Sequence, residues 1–499
     1  MKFRKYYLAI DFGASNGRAI VGKFNGDTLS LEEAYRFENR PVYLSGTLYW
    51  DFLRLFSELK TGIVIALKMY NKIDSLGVDT WGIDFGLLDR NKNLLSNPVH
   101  YRDRRTVGVS EEVYKIIPEE EIYKRTQAQI LEMNSLYQLY SLKLRNSAIL
   151  ENSKHFLLLG DLFNFFLTGE IICEYSNATI TQLFDQKNKR WEKSIIRKLS
   201  LPENIFIEVT EPGKIIGELN REVCEELECR PVRVSLPGYD TTSEITAIPI
   251  SMENKLKNWA YLNCGTWSMV GIMSSFPIVT KYGFKEGFGN EGGFEGRYHY
   301  IKNIIGLWII QQCRKKWMKD KGEDITWNGI IRLAEKSEEK NIFIDVDHPS
   351  FEKEIFDMPA CILNYCRKTN QETPENIGEI SRVAYESLVM KYKLSLQKIE
   401  RITDKKIELL HLVGGGSKNN TLCQWISDAT GLPVIAGPPE TTTYGNILSQ
   451  LLSAGEISSI EEGREILVRS IKLDSFEPKN SGKWDYKFEK YKKIIINSI

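Results

Sequence analysis

A chain of 499 residues is too long for one ordinary hydrophobic core, so two large domains are expected. Its 66 basic and 66 acidic residues cancel, and no long Lys/Arg block runs through it, which disfavours nucleic acid or an acidic membrane surface as a partner and favours small molecules. Hydrophobic residues make up 42% and aromatic residues 11%, ordinary for a chain that folds throughout, and no run of roughly 18 apolar residues offers a membrane span.

Taken in chain order, MKFRKYYLAID starts basic and then apolar, but Asp11 interrupts it before the length of a signal-peptide core, so a cytoplasmic location is expected. YYLAIDFGASNGRAIVGKFNG reads as strand, tight turn and strand, and DTLSLEEAYRFEN adds a third strand. WDFLRLFSELKTGIVIALKMYNKI has apolar positions at helical spacing, and DSLGVDTWGIDFGLLDRNKN follows as a buried strand with a hairpin-like return. Residues 108–170 are largely helical, closed by Gly169 as a helix cap, and LPGYDTTSEITAI returns to strand-then-helix character. The polar stretch SMENKLKNW marks the expected boundary, giving an N-terminal domain over 1–250 and a C-terminal domain over 251–499. AYLNCGTWSMVGIM then repeats the opening plan of strand, small-residue turn and strand. Thr373 and Pro374 are placed to cap and start a helix, and IELLHLVGGGSKNNTLCQWISDATGLPVIAG reads as buried strand, triple-glycine loop, helix from about Asn419, stop at Gly431 and another strand. Alternating helix and strand make the class α/β. The eight cysteines include no pair with the two-residue gap of zinc or redox sites and read as reduced thiols.

Two loops carry chemistry. In the first, Gly13 and Gly17 let the backbone approach a ligand, while Ser15, Asn16, free amides and Arg18 suit a phosphate, and Asp11 at the strand end suits Mg²⁺. In the second, Gly414, Gly415 and Gly416 let a nucleotide lie against backbone at the start of a helix. An ordinary glycine hairpin and a merely flexible loop are the rival readings. Neither segment has the ending of a P-loop or the spacing of a dinucleotide fold. Duplicated strand-turn-strand units in two halves match the plan of actin-like ATPases instead. Phosphoryl transfer in such a site needs an acidic residue for the attacking hydroxyl, and GYDTTSEI supplies Asp240, whose rival role is a helix N-cap. Alone, VDTWGIDFGLLD could be a core hairpin and YRDRRT a solvated charged loop.

Together, DFGASNGR, GVDTWGIDFGLLD, YRDRRT, DLFNFFLTGE, SNATITQL, DTTSEI, LNCGTWS, NEGGFEGRY, KNIIGLWIIQQ, LVGGGSKN and IAGPPETTTYGNI resemble the FGGY carbohydrate kinase family, in family order over residues 7–450. The resemblance implies two ribonuclease-H-like, actin-like ATPase domains with a catalytic cleft between them, ATP and Mg²⁺ as cofactors, and a small ketose as partner of a monomer or homodimer. Carried over by position, it makes Asp240 the general base, and sets Gly82, Tyr239, Thr241 and Asn303 toward the ketose. It sets Ala14, Ser15, Asn16, Gly17, Arg18, Gly265 and Thr266 on the ATP phosphates, Gln311 near the nucleotide, Gly415 under the adenosine and Asp11 at Mg²⁺. Asn303 and Gln311 rest on the resemblance alone. Within the family the similarity is to members that phosphorylate L-rhamnulose at its C1 hydroxyl. Those commonly carry His where this chain has Tyr239, which keeps L-fuculose, L-ribulose and D-xylulose open as substrates. Ser417 and Lys418 also depart from the family pattern, at the nucleotide end only. A non-catalytic actin-like ATP-binding protein would need neither a sugar pocket nor Asp240. A sugar-responsive repressor would need a DNA-binding segment ahead of the first strand, for which a strand starting by residue 7 is not expected to leave room.

Overall fold

A computed structural model describes residues 4–251, 253–351 and 357–497. The chain forms two compact units, the first of Met1–Ser251, Met273–Tyr300 and Thr441–Ile471, the second of Met252–Ile272, Ile301–Glu440 and Lys472–Ile499. It leaves the first unit after Ser251, beside the boundary expected at 250/251. Two later stretches then return to that unit, so its division is not a single cut. Met252, within the boundary stretch, lies outside the described residues.

The first unit is built on β1 (Lys5–Phe12), β2 (Asn16–Phe24), β3 (Leu29–Glu38), β4 (Ser75–Thr80), β5 (Lys214–Glu218) and β6 (Arg233–Leu236), in the order β5-β6-β4-β1-β2-β3. β1, β2 and β3 form an antiparallel meander, β4 runs parallel to β1, and β6 runs parallel to β4. β1 is apolar almost throughout because both of its faces are covered. Leu8, Ile10 and Phe12 join a core with Leu55, Leu59 and Ile63 of the helix Phe52–Tyr70, whereas Tyr7 and Ala9 join another with Ile447, Leu448 and Leu451 of the helix Thr441–Ser453. Burial of that second helix on β1 is why residues 441–471 belong to the first unit.

Two expectations are corrected here. The segment after β4 does not fold back on it: Phe85–Leu88 pairs with His155–Leu158, because Phe85, Leu87, Phe156 and Leu158 share a separate core. The long helix Ile377–Thr403 is capped not by Thr373 and Pro374 but by Asn376, which accepts from Glu379 N–H at 3.0 Å while the Glu379 carboxylate returns to Glu375 N–H at 3.0 Å.

The second sheet uses β7 (Trp259–Cys264), β8 (Trp267–Ser274), β9 (Gly289–Gly292), β10 (Tyr298–Ile305), β11 (Leu409–Val413), β12 (Val434–Ala436) and β13 (Asp474–Phe476), in the order β9-β10-β8-β7-β11-β12-β13. The division between units falls within β8 and β10. Again an antiparallel hairpin, β7/β8, has a parallel strand, β11, on its other side, followed by parallel β12. The helix Asn420–Thr430 has Asn419 as its cap and Gly431 as its left-handed stop, and Gly169 closes the helix Leu159–Thr168 in the same way. All eight cysteines are free thiols, and no described helix is long and apolar enough to cross a membrane.

Candidate active site

The β1/β2 turn is held by three hydrogen bonds. Gly13 N–H donates to Asn16 O at 2.9 Å, Asn39 N–H to Ser15 O at 3.0 Å and Asn39 Nδ2 to Gly13 O at 2.9 Å. Ala14 and Ser15 remain exposed at its tip, with Asn16 half-buried. Gly17 is a steric requirement, since a Cβ there would lie 2.1 Å from Phe37 Cζ.

Parallel pairing sets Asp11 of β1 opposite Asp79 of β4. Asp11 Oδ2 receives Arg18 Nη2 at 2.5 Å and Thr443 Oγ1 at 3.2 Å. Asp79 Oδ2 receives Asn446 Nδ2 at 2.7 Å, and its buried Oδ1 has no hydrogen-bond partner. Burial, and then the charge of Asp11, push the Asp79 carboxyl well above the usual carboxylate range. An unsatisfied, buried carboxylate oxygen beside a second carboxylate is costly by itself and fits a hard divalent cation. Among the described residues no group of three or more His, Cys, Asp or Glu could hold a metal ion. Two adjacent carboxyls, Asp11 and Asp79, are the kind of donor set Mg²⁺ takes, its shell being completed by water and phosphate oxygens.

Asp240 is the first residue of the helix Asp240–Thr246, with Tyr239 as the cap. The N-cap role considered from sequence thus falls one residue earlier. Its Oδ1 accepts from Thr241 N–H at 2.6 Å, and the residue is half-buried. Burial pushes its carboxyl up to about 7, a rise that the Thr241 N–H opposes and Asp11 reinforces. A carboxyl so poised accepts a proton at neutral pH more readily than an ordinary aspartate would. One turn on, burial and then Asp240 raise Glu244 to about 8.

Gly82 lies beside this group: a Cβ on it would stand 2.3 Å from Ile180 Cδ1 and 3.2 Å from both Tyr239 Cδ2 and Asn177 Oδ1. The Tyr239 hydroxyl donates to Glu291, whose carboxyl burial raises to about 8. Asp84 collects Trp50 Nε1 at 2.6 Å, Trp81 Nε1 and Gln138 Nε2 at 2.9 Å and Tyr101 N–H at 3.3 Å, and burial lifts it to about 6 despite these donors. YRDRRT is not a solvated loop, because Asp103, Arg105 and Thr106 are buried and Arg105 Nη2 donates to Gln138 Oε1 at 2.6 Å. The first unit thus brings together Asp11, Arg18, Gly82, Tyr239, Asp240 and Thr241, and adds Asp79, Asp84 and Glu291. Asp79 ends an apolar strand as Asp11 does, a signal readable in SLGVDT. Glu291 had only its motif, NEGGFEGRY.

The other expected residues lie in the second unit. Gly265 N–H donates to Trp267 O at 3.0 Å and closes the β7/β8 turn, leaving Thr266 exposed. Thr266 Oγ1 donates to Gln311 Oε1 at 3.2 Å, and its carbonyl receives Gly306 and Trp308 N–H, each at 3.2 Å, so this turn seats the helix Trp308–Lys321. Asn303 is half-buried on β10. In the triple-glycine loop, Gly414 has φ 77° and a Cβ on Gly416 would meet Cys264 Sγ at 2.4 Å, whereas Gly415 has nothing within 4 Å of that position. Lys418 pairs with Glu440 at 3.7 Å.

The sequence matches the N-terminal domain of the FGGY family of carbohydrate kinases over residues 6–246 and that family's C-terminal domain over residues 260–454. The chain belongs to the FGGY family. It is accordingly an ATP-dependent carbohydrate kinase. Relatives include the rhamnulokinases of Bacteroides thetaiotaomicron, 35% identical over 99% of this chain and 100% of that one, and of Halalkalibacterium halodurans, 38% identical over 95% and 98%. Among solved structures, xylulose kinase from Lactobacillus acidophilus superposes with a TM-score of 0.81 over 98% of this chain and 97% of that one at 15% identity. Gluconate kinase from the same organism reaches 0.79 over 99% and 98% at 15% identity. Both show the two-domain α/β fold of the family.

Proposed function

We propose that this kinase converts ATP and L-rhamnulose into ADP and L-rhamnulose 1-phosphate. The observation that carries the mechanism is Asp240: a half-buried residue whose carboxyl is pushed up to about 7 by burial, bonded to Thr241 N–H and next in the chain to Tyr239, whose ring lies against Gly82. Asp240 takes the proton of the C1 hydroxyl as that oxygen attacks the terminal phosphorus in line and the bond to the ADP oxygen breaks. Thr241, Asn303, Gly82 and Tyr239 orient the ketose. Ala14 to Arg18 and the Gly265–Thr266 turn bind the phosphates through backbone N–H groups and the Arg18 guanidinium. Gln311 and the open face of Gly415 receive the nucleoside. Mg²⁺, when bound, would be held by Asp11 with Asp79 and would neutralise phosphate charge.

The rhamnulokinases support L-rhamnulose as the substrate. One observation favours a second reading: the Tyr239 hydroxyl is engaged by Glu291, so it does not offer the sugar the hydrogen bond of a histidine. L-Fuculose, L-ribulose or D-xylulose would then be the substrate. ADP release measured over these four ketoses tests the choice. L-Rhamnulose is expected to show a kcat/KM at least about tenfold above the others, the size of one hydrogen-bond or methyl-group discrimination. A higher value for another ketose replaces it.

A further inference from the structure

Glu291 belongs to β9, a strand buried along its whole length and pinned within the first unit. Asn290 N–H and Nδ2 donate to Gln127 O at 2.8 and 2.9 Å, Gln186 Nε2 donates to Asn290 O at 2.7 Å, and Gly292 N–H donates to Thr179 Oγ1 at 2.8 Å. Gly292 O receives the hydroxyl of Thr242, two residues past Asp240, at 3.0 Å. A Cβ on Gly289 would lie 1.9 Å from Gln129 N, and one on Gly292 would lie 2.5 Å from the Tyr175 ring. The strand cannot slide, so the Glu291 backbone is fixed. The Glu291 carboxyl receives the hydroxyl of Tyr239, the residue immediately before Asp240, whose ring lies against Gly82.

A buried tyrosine hydroxyl needs a partner, and a carbonyl or water would serve at less cost than a buried carboxyl. A carboxyl used here accepts the phenol hydroxyl from a fixed direction and restricts the orientation of the phenol ring. We propose that Glu291 is a positioning residue for the ketose: through the Tyr239 hydroxyl it fixes the tyrosine ring against Gly82 and so sets the shape of the sugar-binding wall beside Asp240. This rests on the assignment of Asp240 and Gly82 to the sugar end of the reaction.

The test uses the full chain carrying Glu291→Leu, Glu291→Gln, Tyr239→Phe and the double change Tyr239→Phe with Glu291→Leu. KM and kcat are measured for ATP and for the best ketose, with thermal melting to score folding. Glu291→Leu and Tyr239→Phe are each expected to raise the ketose KM about tenfold, and the double variant no further, because both single changes remove the same contact. Glu291→Gln retains an acceptor and should stay within about threefold, and the ATP KM should stay within about twofold in every variant. Additive effects overturn the proposal, as does an unchanged ketose KM in Glu291→Leu, or a loss that affects both substrates equally with a lowered melting temperature. If Glu291→Leu does not fold, Tyr239→Phe against Glu291→Gln decides alone: a ketose KM unchanged in the first, or raised as much in the second, overturns it. Wild-type turnover in Asp240→Asn would instead reject the base assignment, while the ketose-induced rise in melting temperature would still report whether Tyr239 and Glu291 act as one unit.

Discussion

β1 ends in Asp11-Phe12-Gly13 and pairs in parallel with β4, which sets Asp11 opposite Asp79, whereas β7 ends in Asn263-Cys264-Gly265 and pairs in parallel with β11, which sets Asn263 opposite Val413. The backbone plan is the same and the charge is not. Two facing carboxylates repel each other and resist burial, so such a pair costs stability unless a cation or a proton relieves it. In the second unit an amide and a valine occupy the corresponding places at no such cost. Gly414 follows Val413 directly, with Asn263 Oδ1 2.5 Å from where a Gly414 side chain would begin. One copy of the motif thus carries facing carboxylates, and the other a neutral backbone surface, the one proposed above to receive the nucleoside.

The contrast can be broken most severely at the carboxyl proposed as the base. Asp240→Asn should lower kcat by about 10²–10⁴-fold, the usual contribution of a general base, with the melting temperature retained, as measured by ADP release and calorimetry. Asp11→Asn gives the first hairpin the residue found in the second. The Mg²⁺ concentration for half-maximal rate should then rise about 10–100-fold, and an unchanged Mg²⁺ titration would remove Asp11 from that role. At the neutral end, two adjacent glycines should respond differently to Val. Gly415→Val has open space and should raise the ATP KM about tenfold with little change in melting, whereas Gly416→Val collides with Cys264 and should cost about 1–3 kcal/mol of stability. A pH dependence reads the same carboxyl without any substitution. Asp240 must be ionised to accept a proton and its carboxyl is raised to about 7, so kcat/KM for the ketose should be low in acid, climb through about pH 7 and level off above it. A profile flat between about pH 5 and 8 would count against Asp240 as the base.

Much of this was legible locally. Apolar runs and turn glycines mark β1, β2, β7 and β8, helical spacing marks Phe52–Tyr70, and Asn419 with Gly431 brackets a helix through capping that involves only near neighbours. The return of Thr441–Ser453 to β1, the pairing of Phe85–Leu88 with His155–Leu158, and the partners of Asp84 and Glu291 were not legible. Each depends on residues far away in the chain, and no local pattern records such a partner.

By itself, then, the order of residues determined the strands, the helices, the duplicated hairpins and the chemical types in the site, because periodicity, capping and glycine freedom act over a few positions. Tertiary packing alone decided which carboxyls face one another, which oxygen of Asp79 is left without a partner, and that Tyr239 gives its hydroxyl to Glu291. Charge repulsion, desolvation and hydrogen bonding act through space, so only the folded chain sets the protonation of Asp240 and the shape of the wall beside it.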